Sequence, residues 1–128
     1  MNNLTHSKLI EVIKSLSPNE WRQFRLFLES GLAPTGGKTL ILYDFLSEFY
    51  PAFTSIRMTR EKAFGKMYPE SDFEDKKLRY AMTDLYQLVC KFLAYKSVQE
   101  DNHLFNRVVT EELAKRGADK AYLSFLQS

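Results

Sequence analysis

The chain has 128 residues, of which 45% are hydrophobic and 27% are charged. That length suits one domain, and the composition is ordinary for a globular protein. Eighteen lysine and arginine residues against sixteen aspartate and glutamate residues leave a net charge of +2. So small an excess excludes bulk charge as a sufficient basis for binding nucleic acid or an anionic membrane. Cys90 is the only cysteine, which excludes an internal disulfide.

The amino-terminal residues 1–12 lack the continuous apolar stretch of a signal peptide. The apolar run at residues 40–43 is far too short to span a membrane. We therefore expect a cytoplasmic protein.

The first two helices are predicted from apolar periodicity and from a complete start signal. Residues 5–16 form the first, with apolar side chains at helical spacing, namely Leu9, Val12, Ile13 and Leu16. Ser17 then stands at a cap position, Pro18 at the first helical position and Glu20 where a capping box requires it. Gly31 is a natural left-handed stop for this second helix.

Two shorter helices and one long helix follow. A third helix is predicted over residues 38–49, and a fourth over residues 60–67 with Thr59 as its cap. Ser71 and Glu74 match a second capping box, which predicts that the longest helix covers about residues 73–99. Its apolar sector is broad, as expected for a helix that touches several others.

Two further helices complete the chain. Asp101 or Asn102 can cap the sixth, which stops at Gly117, and the last begins near Ala118. No stretch shows strand alternation. The sequence thus predicts an all-α fold, an irregular orthogonal bundle of about six to seven helices with one long central helix, in a single domain over residues 1–128. Because the last helix is still apolar near Ser128, we expect the amino-terminal part of a longer protein.

Three segments carry a resemblance to a known group of proteins. They read LSPNEWRQFRLFLES, then LYDFLSEFYPAF, then MTREKAFGKMYP followed by DKKLRYAMTDLYQLVCKFLAYK. This pattern resembles the amino-terminal helical region of long, uncharacterised Bacteroidetes proteins that continue into tetratricopeptide-like helical repeats. The resemblance covers most of the chain and implies helical architecture, but no functional residues. The loop 31–38 departs from the pattern of the group.

No catalytic, cofactor-binding or metal-binding residue is predicted. Residues 31–39 end in Gly-Lys-Thr, as a phosphate-binding loop does, but the spacing is one residue too long and a helix precedes it instead of a strand. His6 and His103 stand far apart without ligand partners at metal spacing. Cys90 lacks a histidine that could activate it. The acidic residues at 70–75 are explained by the start of a helix.

The best functional prediction is a non-enzymatic protein–protein interaction module, or a capping module, of a helical-repeat protein. Repeats need such units because they cannot end on an open apolar face. Side chains that stand off the apolar stripes could contact a protein partner: Arg22, Leu26, Tyr80 and Tyr95. An unfilled face on the last helix also favours pairing between copies of this chain.

The alternative is a helix-turn-helix-like nucleic-acid-binding regulator that uses helices 60–67 and 73–99. Its candidate contacts are the basic residues of this region: Arg57, Arg60, Lys62, Lys66, Lys76, Lys77 and Arg79. Interspersed acids reduce the local charge excess, and the second helix is far longer than a usual recognition helix. Solvated helix faces explain the same residues.

Overall fold

A computed structural model describes residues 3–127; the expected continuation past Ser128 and the residues Met1 and Asn2 lie outside this part. The described chain is all-α, as predicted, with a single isolated bridge between Asn3 and Thr59. Seven helices lie in this range: α1 (Lys8–Lys14), α2 (Pro18–Glu29), α3 (Gly37–Ser47), α4 (Arg60–Met67), α5 (Asp75–Glu100), α6 (Asn102–Lys115) and α7 (Asp119–Leu126). None of them is long and apolar enough to cross a membrane.

The chain divides into two compact units, Met1–Phe92 and Leu93–Ser128. The sequence contains no linker at this division, because α5 runs through it without interruption. The single domain stays a prediction.

Local signals place most helix ends. Ser17 Oγ accepts a hydrogen bond from the Glu20 amide at 3.1 Å, and Glu20 Oε1 accepts one from the Ser17 amide at 2.9 Å, which completes the predicted capping box of α2. Gly31 follows α2 with φ +81°, a conformation that glycine adopts at little cost. Thr59 caps α4 through the Lys62 amide at 3.2 Å. These predictions are confirmed.

Two predicted helix starts are wrong. Ser7 caps α1, which therefore begins later than expected, at Lys8. The capping box expected at Ser71 is absent, and α5 begins at Asp75. Phe73 remains in the preceding loop, where its ring meets the ring of Phe64 edge-on at a centroid distance of 5.4 Å. An aromatic contact with α4 thus accompanies the later start of α5.

The core of the first unit is built around aromatic rings from several elements. Trp21 stacks on Tyr43 with ring centroids 4.1 Å apart, and it meets Phe53 edge-on at 6.0 Å. Phe24 contacts Phe92 of α5 at 5.5 Å. The part of α5 in this unit is central, because it contributes a buried stripe: Leu78, Ala81, Met82, Leu85, Leu88, Val89 and Phe92.

The irregular segment between α3 and α4 is held by hydrogen bonds from the amino-terminal residues and by the burial of Phe53. The Leu4 amide donates to the Met58 carbonyl at 3.1 Å, and the side-chain amide of Asn3 donates to the Ser55 carbonyl at 2.8 Å. Phe53 has φ +52°, which is unusual for a side chain of its size, and it is fully buried. Its burial in the aromatic core holds this backbone conformation in place.

The second unit comprises the end of α5, α6 and α7. Asp101 Oδ1 accepts a hydrogen bond from the Leu104 amide at 3.0 Å and caps α6. Asp101 is one of the two residues that the sequence offered as the cap of this helix. Gly117 ends the helix with φ +70° and turns the chain into α7, which packs against α6. Within the described residues, neither α6 nor α7 has a buried side chain.

Candidate functional site

The structure separates the seven predicted basic residues into distinct groups. Asp75 holds two of them, since Arg60 Nη2 lies 2.7 Å from one carboxylate oxygen and Arg79 Nε lies 3.1 Å from the other. Lys77 Nζ is 3.2 Å from Glu74. These three cations are therefore partly neutralised, which leaves less positive potential for nucleic acid than the sequence suggests. The nucleic-acid interpretation stays a prediction.

The Asp75 carboxylate is the electrostatic centre of this group. Its hydrogen bond with Arg60 lowers the pKa of Asp75 below the ordinary value of 3.8, and the charges of Arg60 and Arg79 act in the same direction. The side chain is about half exposed. Such a half-exposed pair links α4 to the first turn of α5 and contributes little to the free energy of unfolding.

Lysine side chains near the start of α5 lie over tyrosine rings. Lys76 Nζ is 5.7 Å from the centroid of Tyr80, and Lys77 Nζ is 5.2 Å from that of Tyr68. Lys38 also lies near this ring, with its Nζ 4.4 Å from the Tyr68 centroid, and donates to the Met67 carbonyl. Lys38 thus covers the carboxyl end of α4, which gives the Gly-Lys-Thr sequence a structural role.

The other three predicted basic residues, Arg57, Lys62 and Lys66, line one cavity of about 650 Å³ in the first unit. Their side chains form no ion pair with any described residue. Glu48, at the carboxyl end of α3, is the acidic residue of the lining. The apolar part of the wall consists of Phe45, Phe49, Gly65 and Pro69. The sequence predicted the basic residues as candidate contacts but did not predict this apolar wall. The reason is that α3 and the segment after it meet α4 only in the tertiary structure.

The four predicted protein-contact residues do not form one surface within a single unit. Arg22 and Leu26 share a face of α2; Leu26 is 62% exposed, and Arg22 donates to Asn19 at 2.6 Å. Tyr80 is exposed on α5 in the first unit. Tyr95 belongs to the second unit, where its hydroxyl accepts a hydrogen bond from Gln99 at 2.9 Å.

Large apolar side chains are exposed on both helices of the second unit, on α6 as well as on the last helix, where the sequence predicted an unfilled face. Four large side chains of α6 and α7 are between 44% and 59% exposed: Phe105, Val108, Leu123 and Leu126. We call these four residues the hairpin face. Periodicity identified the apolar positions of both helices, but it does not tell whether a neighbour covers them. The name refers to the helix pair that α6 and α7 form on either side of Gly117.

Residues with catalytic or ligating chemistry are scattered in the described part of the chain. Cys90 is exposed, and its proximity raises the pKa of the Tyr86 phenol. Among residues 3–127, no three histidine, cysteine or acidic side chains are grouped so that they could hold a metal ion. No protein-family model, curated protein or solved structure matches the chain.

Proposed function

We propose that this chain is a non-enzymatic protein-binding module that uses the hairpin face to stack against helices of another polypeptide. The observation that supports it is the exposure of four large apolar side chains on two helices that have no buried residue in the described chain. Single exposed apolar residues are ordinary on protein surfaces, whereas several on one small unit favour an interaction site. A cytoplasmic location remains part of this proposal.

The size of the second unit supports the same conclusion. A pair of helices joined by a short turn cannot bury an apolar face alone, and helical-repeat proteins solve this by stacking one pair on the next. Leu104, Val109 and Tyr122 are only half-buried. A further helix laid over α6 and α7 would remove more of these apolar side chains from water. We therefore propose a helical partner, and a capping role if the partner is a helical repeat.

Self-association of the purified chain tests this proposal. A second copy can act as the helical partner, because it presents the same exposed apolar helices. We expect weight-average mass in sedimentation velocity to rise with protein concentration. The double variant Val108→Lys with Leu123→Lys should remain monomeric, since burying two ammonium groups opposes association strongly. Both positions are exposed, so the change should leave the helical circular dichroism unchanged.

The control is Ile56→Lys, which places one lysine, half the added charge of the double variant, on an apolar residue that is 88% exposed in the first unit. It should associate as the original chain does. A chain that stays monomeric at high concentration would contradict the use of the hairpin face. Association that Ile56→Lys abolishes, but the double variant does not, would move the interface to the first unit.

A further inference from the structure

We propose that the cavity between α3 and α4 binds a short acidic peptide segment that carries an aromatic or large aliphatic side chain. The cavity lies wholly in the first unit, so this inference does not rest on the hairpin face. Its volume of about 650 Å³ is within the ordinary range for binding sites. Three properties of the lining support the proposal, namely its aromatic wall, its unpaired cations and one glycine.

The wall offers a place for an apolar side chain. Phe45 and Phe49 both line the cavity and meet edge-on with ring centroids 5.2 Å apart. Phe45 is buried by its own unit, whereas Phe49 remains partly exposed. Pro69 adds a further apolar residue to the lining. An aromatic or aliphatic group entering here would gain ring contacts and remove the exposed part of Phe49 from water.

The rim carries three cationic side chains that form no ion pair with a described residue. Lys62 and Lys66 stand one helical turn apart on α4, and Arg57 precedes that helix. Neighbouring cations on the same stretch have acidic partners, as Arg60 does in Asp75. Three unpaired cations against the single Glu48 give the rim a positive excess. A ligand with carboxylates spaced along a chain complements charges that are spaced along a helix.

Gly65 lies in the interior of α4 and forms part of the wall. Glycine inside a helix costs about 1 kcal/mol relative to alanine. Its backbone does not adopt a positive φ, and a Cβ atom added at this position would meet no other atom within 4 Å. Neither backbone conformation nor packing in this unit therefore requires glycine. What the absent side chain does preserve is open space in the cavity.

A peptide fits this lining better than a small molecule or a nucleic acid does. Small-molecule sites orient their ligand with polar groups placed inside the pocket. Here the charged side chains are exposed at the rim, and the described lining contains no buried polar side chain. A nucleic acid would need phosphate contacts beyond the cavity, where Arg60, Lys77 and Arg79 already bind acids.

Fluorescence anisotropy on the full chain tests the proposal. The probe is a fluorescein-labelled peptide with a central phenylalanine flanked on each side by two acidic residues. We expect saturable binding that weakens as salt rises. Replacing the acids by their amides, or the phenylalanine by alanine, should each raise Kd by about tenfold or more. An absence of saturation at the highest soluble concentration, or equal binding of the amide peptide, would overturn the proposal.

Variants of Gly65 then locate the site without a risk to folding. Gly65→Leu fills the open space with a good helix former and should abolish binding. Gly65→Ala strengthens the helix in the same way but adds one methyl group, so it should bind within a fewfold of the original chain. Equal binding by Gly65→Leu and the original chain would show that the peptide binds elsewhere.

The charge test compares two double variants. The first combines Lys62→Gln with Lys66→Gln, and the control combines Lys14→Gln with Lys120→Gln, two lysines outside the cavity. Both double variants change net charge equally, but only the first should raise Kd by about tenfold or more. A single-stranded oligonucleotide serves as the competing probe. If it binds more tightly than the peptide and loses affinity in the first double variant, the cavity rim is a nucleic-acid contact and the peptide proposal fails.

Discussion

The Tyr43 hydroxyl donates a hydrogen bond to the Trp21 backbone carbonyl at 2.6 Å, while the two rings stack with centroids 4.1 Å apart. The indole nitrogen of Trp21 in turn donates to Ser47 Oγ at 3.1 Å, and that hydroxyl donates to the Tyr43 carbonyl at 2.9 Å. These bonds form a closed set that joins α2 to α3. Burial raises the pKa of Tyr43, so its hydroxyl stays protonated and donates throughout the physiological range.

Tyr43→Phe removes this donor while keeping the ring stack. Because a buried carbonyl loses one partner, the free energy of unfolding should fall by about 1 kcal/mol. Urea unfolding followed by fluorescence measures this directly, since Trp21 is the only tryptophan and lies against the changed ring. Tyr80→Phe alters an exposed tyrosine and should leave the midpoint unchanged. Equal midpoints for Tyr43→Phe and the original chain would show that the hydrogen bond makes no net contribution to the free energy of unfolding.

Asp75→Asn should reduce stability in a way that depends on pH. The folded-state pKa of Asp75 is lowered, chiefly by its hydrogen bond with Arg60, so its carboxylate stabilises the fold above the unfolded value near 3.8. That contribution is lost as the pH falls below this value and through the folded-state pKa. At pH 7 the variant should lose about 0.5 to 1 kcal/mol, as expected for a half-exposed ion pair. The deficit should shrink steadily as the pH is lowered from 4.

Urea midpoints of both proteins over this pH range check the prediction, with Asp72→Asn as the control. Asp72 lies three residues earlier and forms no ion pair with any described residue. A deficit of Asp75→Asn that stays constant down to pH 2 would show that the substitution acts through packing or hydrogen bonding and not through charge.

Backbone amides of α6 and α7 should exchange with solvent much faster than those of α2 and α3. The reason is burial, because α2 and α3 have several buried side chains each, whereas the described parts of α6 and α7 have none. Hydrogen exchange by mass spectrometry at low protein concentration measures the contrast. Raising the concentration should slow exchange in α6 and α7 if copies pair through the hairpin face. Equal protection of α3 and α6 at every concentration would contradict the prediction.

The sequence alone determined where most helices begin and end. Ser17 with Glu20, Thr59, Asp101 and the stops at Gly31 and Gly117 act over three or four residues, so their geometry follows from neighbours in the chain. The same local signal failed at Ser71. There Phe73 lies before the helix and its ring contacts that of Phe64, nine positions away, a contact that the local pattern does not include.

Only the tertiary structure decided which of the predicted residues share a site. Asp75 neutralises Arg60 across 15 positions. The rings of the cavity wall come from α3 and the segment that follows it, to which none of the basic residues belongs. Periodicity likewise identified the apolar positions of α6 but not their exposure. Pairing and burial depend on distances between elements that are far apart in the chain, and the composition of one segment carries no information about them.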